Sequence, residues 1–547
     1  MNSELINVVN DIKEEMKRVY LHDNRPWIIG YSGGKDSTTV VQLAYEMLLE
    51  LEPSQRKKTV FIVSSDTLIE NPIVLGYLEE SSKTIGEQAK LNNLPIETHI
   101  IHPEYSDSFW TNIIGKGLPT PTSIRFRWCT ERLKIKPSDY FAEKAIEVYG
   151  EVLFLLGVRK AESSARKRRI ENREIDGYLL TPHSTINHAY VYNPIVELTT
   201  DEVWEILLNN NGITPWGSSN NDLFDLYLGA DSGECPFTIT HDEKGRIANP
   251  SCGNSRFGCW ICTVVNEDKS LTGFIENGEE YLQPLLDFRN WLLSIRDKYE
   301  YRSKYRRDGN HYYKKVLLKS LHLLEGNKLN YDYIFKDEFD NMYVDLKNSK
   351  QDYESGNTRV STDKDKVALE LLPLIQNGED DYIDPSKIYK DDAGEEFVHI
   401  LGFGPFNFKA RKLILKELLK VQHQYQQDGY DFELIKLEEL QEIDKIWDKE
   451  EDLTRRCLVD IYYEVTGEHL PWDAYKRPLY DENTLLEIEQ LAKEFDLRMD
   501  LVNRLLIETN NVKYYSNKSK LDNTIKKVLQ QKHWHQSLTQ EIEYDNQ

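Results

Sequence analysis

Along the first half of the chain, short unbroken apolar runs alternate with longer stretches whose apolar residues recur every three or four positions. The runs at 26–29 and 59–66 read as buried strands, those at 95–103, 152–158 and 191–195 as further strands, and 38–48, 75–91, 142–148 and 200–207 as helices. The last of these helices opens on Thr200-Asp201-Glu202, a good capping sequence. Strands alternating with helices imply an α/β fold, a doubly wound and mostly parallel sheet that binds ligands at the carboxyl ends of its strands.

Beyond about Val265 the period changes to that of helices. Residues 281–298 form an amphipathic pattern with Pro284 in the first turn, where it is tolerated, and 433–452 repeat it on an acidic background. Gly404-Pro405-Phe406-Asn407-Phe408-Lys409-Ala410-Arg411-Lys412 opens another helix. Residues 299–315 interleave Arg and Lys with tyrosines, which suits a nucleic-acid strand and equally a tyrosine-rich surface loop. Residues 349–366 are polar and read as an exposed loop, and no internal repeat is present. The expected organisation is a nucleotide domain over 1–230, a cysteine-rich metal segment over 231–265 and a mainly helical region over 266–547 that docks partners or DNA.

Composition sharpens this picture in three ways. A hydrophobic content of 39% excludes global disorder. No apolar run approaches the length of a bilayer span, so no membrane association and a cytoplasmic location are expected. The net charge of -24 argues against a free-standing nucleic-acid binder while allowing a local basic face.

The richest chemistry lies where the first strand meets the first helix of the sheet: Ser32-Gly33-Gly34-Lys35-Asp36-Ser37. Glycines let the backbone approach a ligand, the helix start offers free N–H groups, and Lys35 adds positive charge. Phosphate is the natural guest, although the spacing is not that of a Walker loop. Asp66 and Thr67, with Glu70 beyond, end the second strand, where an acid can meet a ribose or magnesium or simply cap the next helix. Arg159 and Arg166 follow the fourth strand and are candidates for neutralising phosphoryl charge.

Of six cysteines, Cys235, Cys252, Cys259 and Cys262 are crowded together, Cys129 lies upstream, and Cys457 reads as structural. The Cys-x-x-Cys at 259–262 lets two thiolates reach one metal centre. Spacing alone leaves a [4Fe-4S] cluster and a tetrahedral zinc equally open.

Taken in order, the Ser-Gly-Gly-Lys-Asp-Ser loop, Asp66-Thr67, Gly157-Val158-Arg159…Glu162-Ser163…Arg166 and Asn193-Pro194-Ile195 with Asp201-Glu202-Val203-Trp204 resemble the PAPS reductase family of ATP pyrophosphatases. Trp128-Cys129-Thr130-Glu131-Arg132 resembles the first cysteine pair of its iron–sulfur reductases, with Trp128 in place of one cysteine. The cysteine segment with Gly233-Glu234-Cys235-Pro236, and the 404–412 helix start, are more similar to the DndC family of DNA phosphorothioation sulfurtransferase-like proteins.

This resemblance implies an adenine-nucleotide α-hydrolase-like fold, ATP and Mg2+ held by Ser32, Gly33, Gly34, Lys35, Asp36, Ser37, Asp66 and Thr67, and catalysis assisted by Lys35, Arg159 and Arg166. It tips the metal toward a [4Fe-4S] cluster held by Cys129, Cys259 and Cys262, with Cys252 or Cys235 fourth. It further implies DNA, other phosphorothioation proteins and a cysteine desulfurase as partners, and ATP-dependent replacement of a backbone oxygen by sulfur as the reaction. Two rivals stand beside it. One is a PAPS or APS reductase, against which the cysteine-free tail after Tyr514 argues; the other is a non-catalytic subunit whose metal only holds the fold.

Overall fold

The computed structural model describes residues 1, 3–122, 126–162, 168, 178–230, 258–303, 306, 403–497, 499–510 and 518–529, together with short strands between 313 and 401. The chain divides into two compact units. The first holds Met1–Phe109 and Pro121–Leu286, the second Trp110–Thr120 and Asp287–Gln547. The division falls beyond the 265 expected from the change of hydrophobic period, and 110–120, inside the α/β sequence, belong with the second unit.

In the first unit, β1 (Trp27–Gly30), β2 (Val60–Ser65), β3 (Ile96–Ile101), β4 (Val152–Leu155), β5 (Thr181–Pro182) and β6 (Ala189–Tyr192) form one sheet in the order β3-β2-β1-β4-β6-β5. All neighbours are parallel except the edge pair β5–β6. The order reverses at β1, whose carboxyl end is therefore a switch point where a crevice opens for ligand. This is the doubly wound fold the apolar runs predict.

Side-chain alternation sends the strand residues to two cores. Ile28, Phe61, Val63, Val152 and Phe154 share a cluster with Ala142 and Ala145 of the helix α4 (Lys136–Tyr149). On the other face, Trp27 meets Tyr20 of α1 (Ser3–His22) edge-on, with ring centres 5.2 Å apart. Helix α2 (Lys35–Glu50) follows β1 and packs against α1 and α5 (Thr200–Leu207). Two more helices complete what the site needs: α3 (Pro72–Leu91) after β2, and α6 (Asn220–Gly229).

Helices dominate the described part of the second unit, including α7 (Phe408–Gln427), α8 (Leu437–Glu450) and α9 (Cys457–Thr466). It also contains strands that the hydropathy pattern did not single out, such as β7 (Tyr313–Leu317) paired antiparallel with β8 (Glu396–Leu401). The 349–366 loop reading lies outside the described residues, as does most of the 299–315 stretch beyond Ser303. Arg411 of α7, 2% exposed, binds the 110–120 segment. Its Nε donates to the Ile114 carbonyl at 2.8 Å, another guanidinium nitrogen donates to the Gly115 carbonyl, and Nη1 meets Glu451 at 2.5 Å. Trp447 Nε1 donates to the same Ile114 carbonyl at 2.9 Å, and Trp110 Nε1 to the Leu434 carbonyl at 2.7 Å. Among the described residues, no helix is long and apolar enough to cross a membrane.

Candidate active site

The glycine loop leaves β1 under tight control. Tyr31 N–H donates to the Val63 carbonyl at 2.9 Å, holding the chain to β2. Gly33 then turns at φ +68°, a conformation costly for any residue with a Cβ, and α2 starts after Gly34. No side chain caps α2 at Gly34. The Ser37 hydroxyl instead donates back to the Gly34 carbonyl at 2.9 Å and accepts from the Ser32 N–H at 3.2 Å. The loop is thereby closed on itself at the helix N-terminus, where a glycine turn and a helix start meet as in an anion site.

Three charges sit at this helix start. Arg159, 1% exposed, donates from Nε to Asp36 Oδ1 at 2.7 Å, and from Nη1 to the Leu198 carbonyl and to Thr200 Oγ1 at 3.2 and 3.3 Å. Lys35 Nζ lies 3.7 Å from the other Asp36 oxygen, too far for a strong hydrogen bond. Two cations thus share one carboxylate, leaving net positive charge. Arg159 holds Asp36, and Lys35 is the more loosely tied of the two.

Two further contributors complete the site: Gly157, which the sequence motif contained but whose contact it did not show, and Tyr227, which was not singled out. A Cβ on Gly157 would come within 2.7 Å of the Asp36 carbonyl carbon and 2.9 Å of Ser37 N, so the loop after β4 closes against the helix start only because residue 157 is glycine. A glycine at a strand end was the available signal. Tyr227 of α6 sets its hydroxyl 3.4 Å from the Lys35 N–H, and its ring centre is 5.1 Å from Lys35 Nζ. Nothing in its local sequence signalled this, because 192 residues separate the pair.

At the adjacent end of β2, Asp66 Oδ1 accepts the Leu68 N–H at 2.8 Å in a local turn, and the cap of α3 is Asn71. Thr67 is fully buried; its hydroxyl donates to Glu70 Oε1 at 2.9 Å and lies 3.6 Å from Cys259 Sγ. Glu70 pairs with Lys134 at 3.0 Å, and the backbone of Cys259 bridges to Glu70. Burial, then the Glu70 carboxylate, pushes the Cys259 thiol well above its ordinary value against the pull of Lys134. Cys129 is also raised, by burial and then by the neighbouring Cys262 thiol. For Lys134, burial works against the charge, but Glu70 and then Cys259 outweigh it, so its affinity for a proton is raised. Trp128 stacks on Phe109 with ring centres 5.7 Å apart.

The structure therefore brings Cys129, Cys259 and Cys262 to one corner of the sheet, beside Thr67. Cys235, Cys252 and Arg166 lie outside the described residues. Thiol donors suit a soft metal centre. Even so, among the described residues no three of His, Cys, Asp and Glu are arranged to hold a metal ion. Cys457 lies elsewhere, in the second unit, where its N–H donates to the Asp452 carboxylate.

The family described as the phosphoadenosine phosphosulfate reductase domain matches residues 26–264. That domain therefore spans the sheet, the glycine loop and the cysteine segment. Among solved structures, a phosphoadenylyl-sulfate reductase from Candida auris is 12% identical, over 41% of this chain and 92% of that one, with a TM-score of 0.24. The FMN adenylyltransferase of Candida glabrata is 12% identical over 43% of this chain and 66% of its own, with a TM-score of 0.26. The U34-tRNA thiolase NcsA of Methanococcus maripaludis, solved with its [4Fe-4S] cluster, is 13% identical over 41% and 73%, with a TM-score of 0.25. No curated protein matches the chain.

Proposed function

We propose that this protein activates a DNA backbone phosphate with ATP and replaces one of its non-bridging oxygens with sulfur, as the resemblance to the DndC family implies. One observation carries the reading: the glycine loop leaves β1, and the Thr67–Glu70 turn that contacts Cys259 leaves its parallel neighbour β2. An activating half and a sulfur-handling half are thus adjacent, linked through Thr67 and Cys259.

In the first half-reaction, ATP with Mg2+ lies on the Ser32–Ser37 loop. A non-bridging oxygen of the DNA phosphate attacks the α-phosphorus; the new P–O bond forms as the bond to the β-phosphate breaks, and pyrophosphate leaves with the electron pair. Lys35 stabilises the charge that develops. Arg159 works one step back, fixing Asp36 so that Lys35 stays available, and Arg166 adds positive charge. In the second half-reaction, sulfur at the oxidation level of hydrosulfide attacks the DNA phosphorus. A P–S bond forms, the P–O bond to AMP breaks, AMP leaves, and the sulfur's proton passes to solvent. A cysteine desulfurase is the source of that sulfur: it delivers the sulfur as a persulfide, and a thiol reductant releases it as hydrosulfide while forming a disulfide.

A [4Fe-4S] cluster would be held by Cys129, Cys259 and Cys262 with Cys235 or Cys252. When bound it supplies a thiophilic centre for the sulfur. Zinc is the alternative occupant, and visible absorption of anaerobically purified protein separates the two, because zinc is colourless.

A docking site for DNA is supported by α7. Lys409, Lys412, Lys416, Lys420 and His423 are at least partly exposed and fall within roughly 80° of arc, opposite the buried Ile414 and Leu418. In a chain of net charge -24, such a face is the local basic surface a polyanion needs.

The test is a product assay. Anaerobic protein given ATP and duplex DNA is expected to release AMP and pyrophosphate, and Lys35→Ala to abolish release. Reduction of intact PAPS, or no nucleotide turnover, would overturn the reading.

A further inference from the structure

We propose that α10 (Glu482–Glu494), in the second unit, is a docking site for a partner protein. It presents an open apolar seam bordered by carboxylates, and it receives a helix whose own apolar seam is flanked by lysine or arginine. The inference is independent of the nucleotide site.

Thr484, Ile488, Leu491 and Phe495 are spaced by four, three and four residues, the alternation of a heptad's a and d positions. At 100° per residue they fall within roughly 60° of arc. A stripe of this kind is ordinarily spent inside its own domain. Here Leu491 is 52% exposed and Phe495 65%, while Thr484 and Ile488 are partly buried. The helix packs into its unit through a neighbouring line instead, where Ala492 is buried and Leu485 partly so. The helix end lengthens the seam. Asp496 turns at φ 51°, and the Leu497 N–H returns to the Ala492 carbonyl at 2.7 Å, which folds the exposed Leu497 back beside the last turn.

The border of the seam says what fits it. With Ile488 and Phe495 at a and Leu491 at d, the exposed Glu487 and Glu494 both fall at g, the position whose charge selects the partner of a paired helix. Exposed Asp496 adds a third carboxylate at the end where Phe495 and Leu497 stand. Lys493 falls at f, on roughly the opposite side of the helix from the seam. A second copy of α10 would set these carboxylates against their own kind, and a nucleic acid would set phosphates against them; both are disfavoured. A helix carrying lysine or arginine beside its seam covers the apolar residues and pairs the acids at once.

The experiment uses the full chain and two synthetic helical peptides of about three heptads, alike in a leucine seam and differing only in whether lysine or glutamate flanks it. Fluorescence anisotropy is expected to show the lysine-flanked peptide bound, and the glutamate-flanked one bound about tenfold more weakly or not at all. Leu491→Ser with Phe495→Ser keeps every carboxylate and is expected to weaken the lysine-flanked peptide about tenfold. Thermal unfolding of that variant should be unchanged, because both side chains are exposed. Glu487→Lys with Glu494→Lys is expected to reverse the preference between the two peptides. Equal binding of both peptides to wild type, or no binding of the lysine-flanked one, would overturn the proposal. Full binding by the serine variant would do the same, by showing attraction to bulk negative charge alone. A wild type that sediments as a dimer, dissociated by the serine substitutions, would make the occupant a second copy and overturn it as well.

Discussion

Asp36 accepts Arg159 Nε at 2.7 Å, across 123 residues of sequence, and this bond ties the helix after β1 to the loop after β4. Because Arg159 is almost wholly buried, removing it leaves a carboxylate without its main partner. Arg159→Met is expected to lower stability by about 3 kcal/mol in urea unfolding. Lys35 should then be drawn onto the vacated carboxylate, and ATP binding should fall by roughly tenfold or more, an order-of-magnitude expectation for removing one charge-assisted hydrogen bond. A variant that is destabilised yet binds ATP normally would separate the ion pair from the phosphate site.

Gly157 offers a test by size. One methyl group there must push against the backbone of Asp36 and Ser37 rather than against a flexible side chain. Gly157→Ala is expected to abolish detectable nucleotide binding, read by titration with ATP. Gly76 in α3 is the control, since a Cβ there meets nothing within 4 Å. Gly76→Ala should keep ATP binding and raise stability by up to about 1 kcal/mol, the helix-propensity difference.

In the second unit, Asp444 and Asp448 share Lys476, at 2.6 and 2.7 Å. Burial, only partly offset by Lys476 and reinforced by Asp444, raises Asp448 from its ordinary value of 3.8 to about 6. A carboxylate raised in the folded state binds its proton more tightly folded than unfolded. Its cost to stability is therefore absent below about 4, grows between about 4 and 6, and is complete above 6. Asp448→Asn is expected to be more stable than wild type at pH 7, with the advantage gone at pH 4. Unfolding curves at the two pH values check this, and a pH-independent difference would contradict it.

The basic face of α7 makes a salt-dependent prediction. Replacing Lys409, Lys412, Lys416 and Lys420 by Glu should weaken duplex binding regardless of sequence. It should also flatten the dependence of log K on log salt by about 0.9 for each DNA phosphate that is no longer neutralised. Lys416 and Lys420 already pair with Glu464 and Glu417, at 2.6 and 2.7 Å, so the slope is not expected to vanish.

What was legible in the sequence was what short-range pattern encodes. The runs at 26–29, 59–66 and 152–158 became β1, β2 and β4, continuously apolar because these strands are buried on both faces, whereas β3 carries exposed Glu97 and Ile100 and the run at 191–195 meets β6 only at Val191 and Tyr192. The glycine loop was equally plain, since its chemistry is contiguous. Tyr227, Gly157 against Asp36, and the Thr67–Glu70–Lys134 link to Cys259 were not legible as contacts. Each joins residues far apart in sequence through the topology of the sheet, which no local spacing records. The Arg159–Asp36 bond is of the same kind: Arg159 read as a ligand group, and only the fold supplied Asp36 as the acid it holds.

The membership of Trp110–Thr120 in the second unit bears on how such a chain can be divided or inherited. Arg411 and Trp447 both spend hydrogen bonds on carbonyls of that segment, so a fragment beginning at Asp287 would carry donors whose acceptors are encoded far upstream. Neither half is a portable cassette. Recombination that exchanged the C-terminal half alone would sever a core, whereas an exchange that carried the short upstream peptide with it would not. The chain has two bodies, and neither is encoded by one continuous stretch of it.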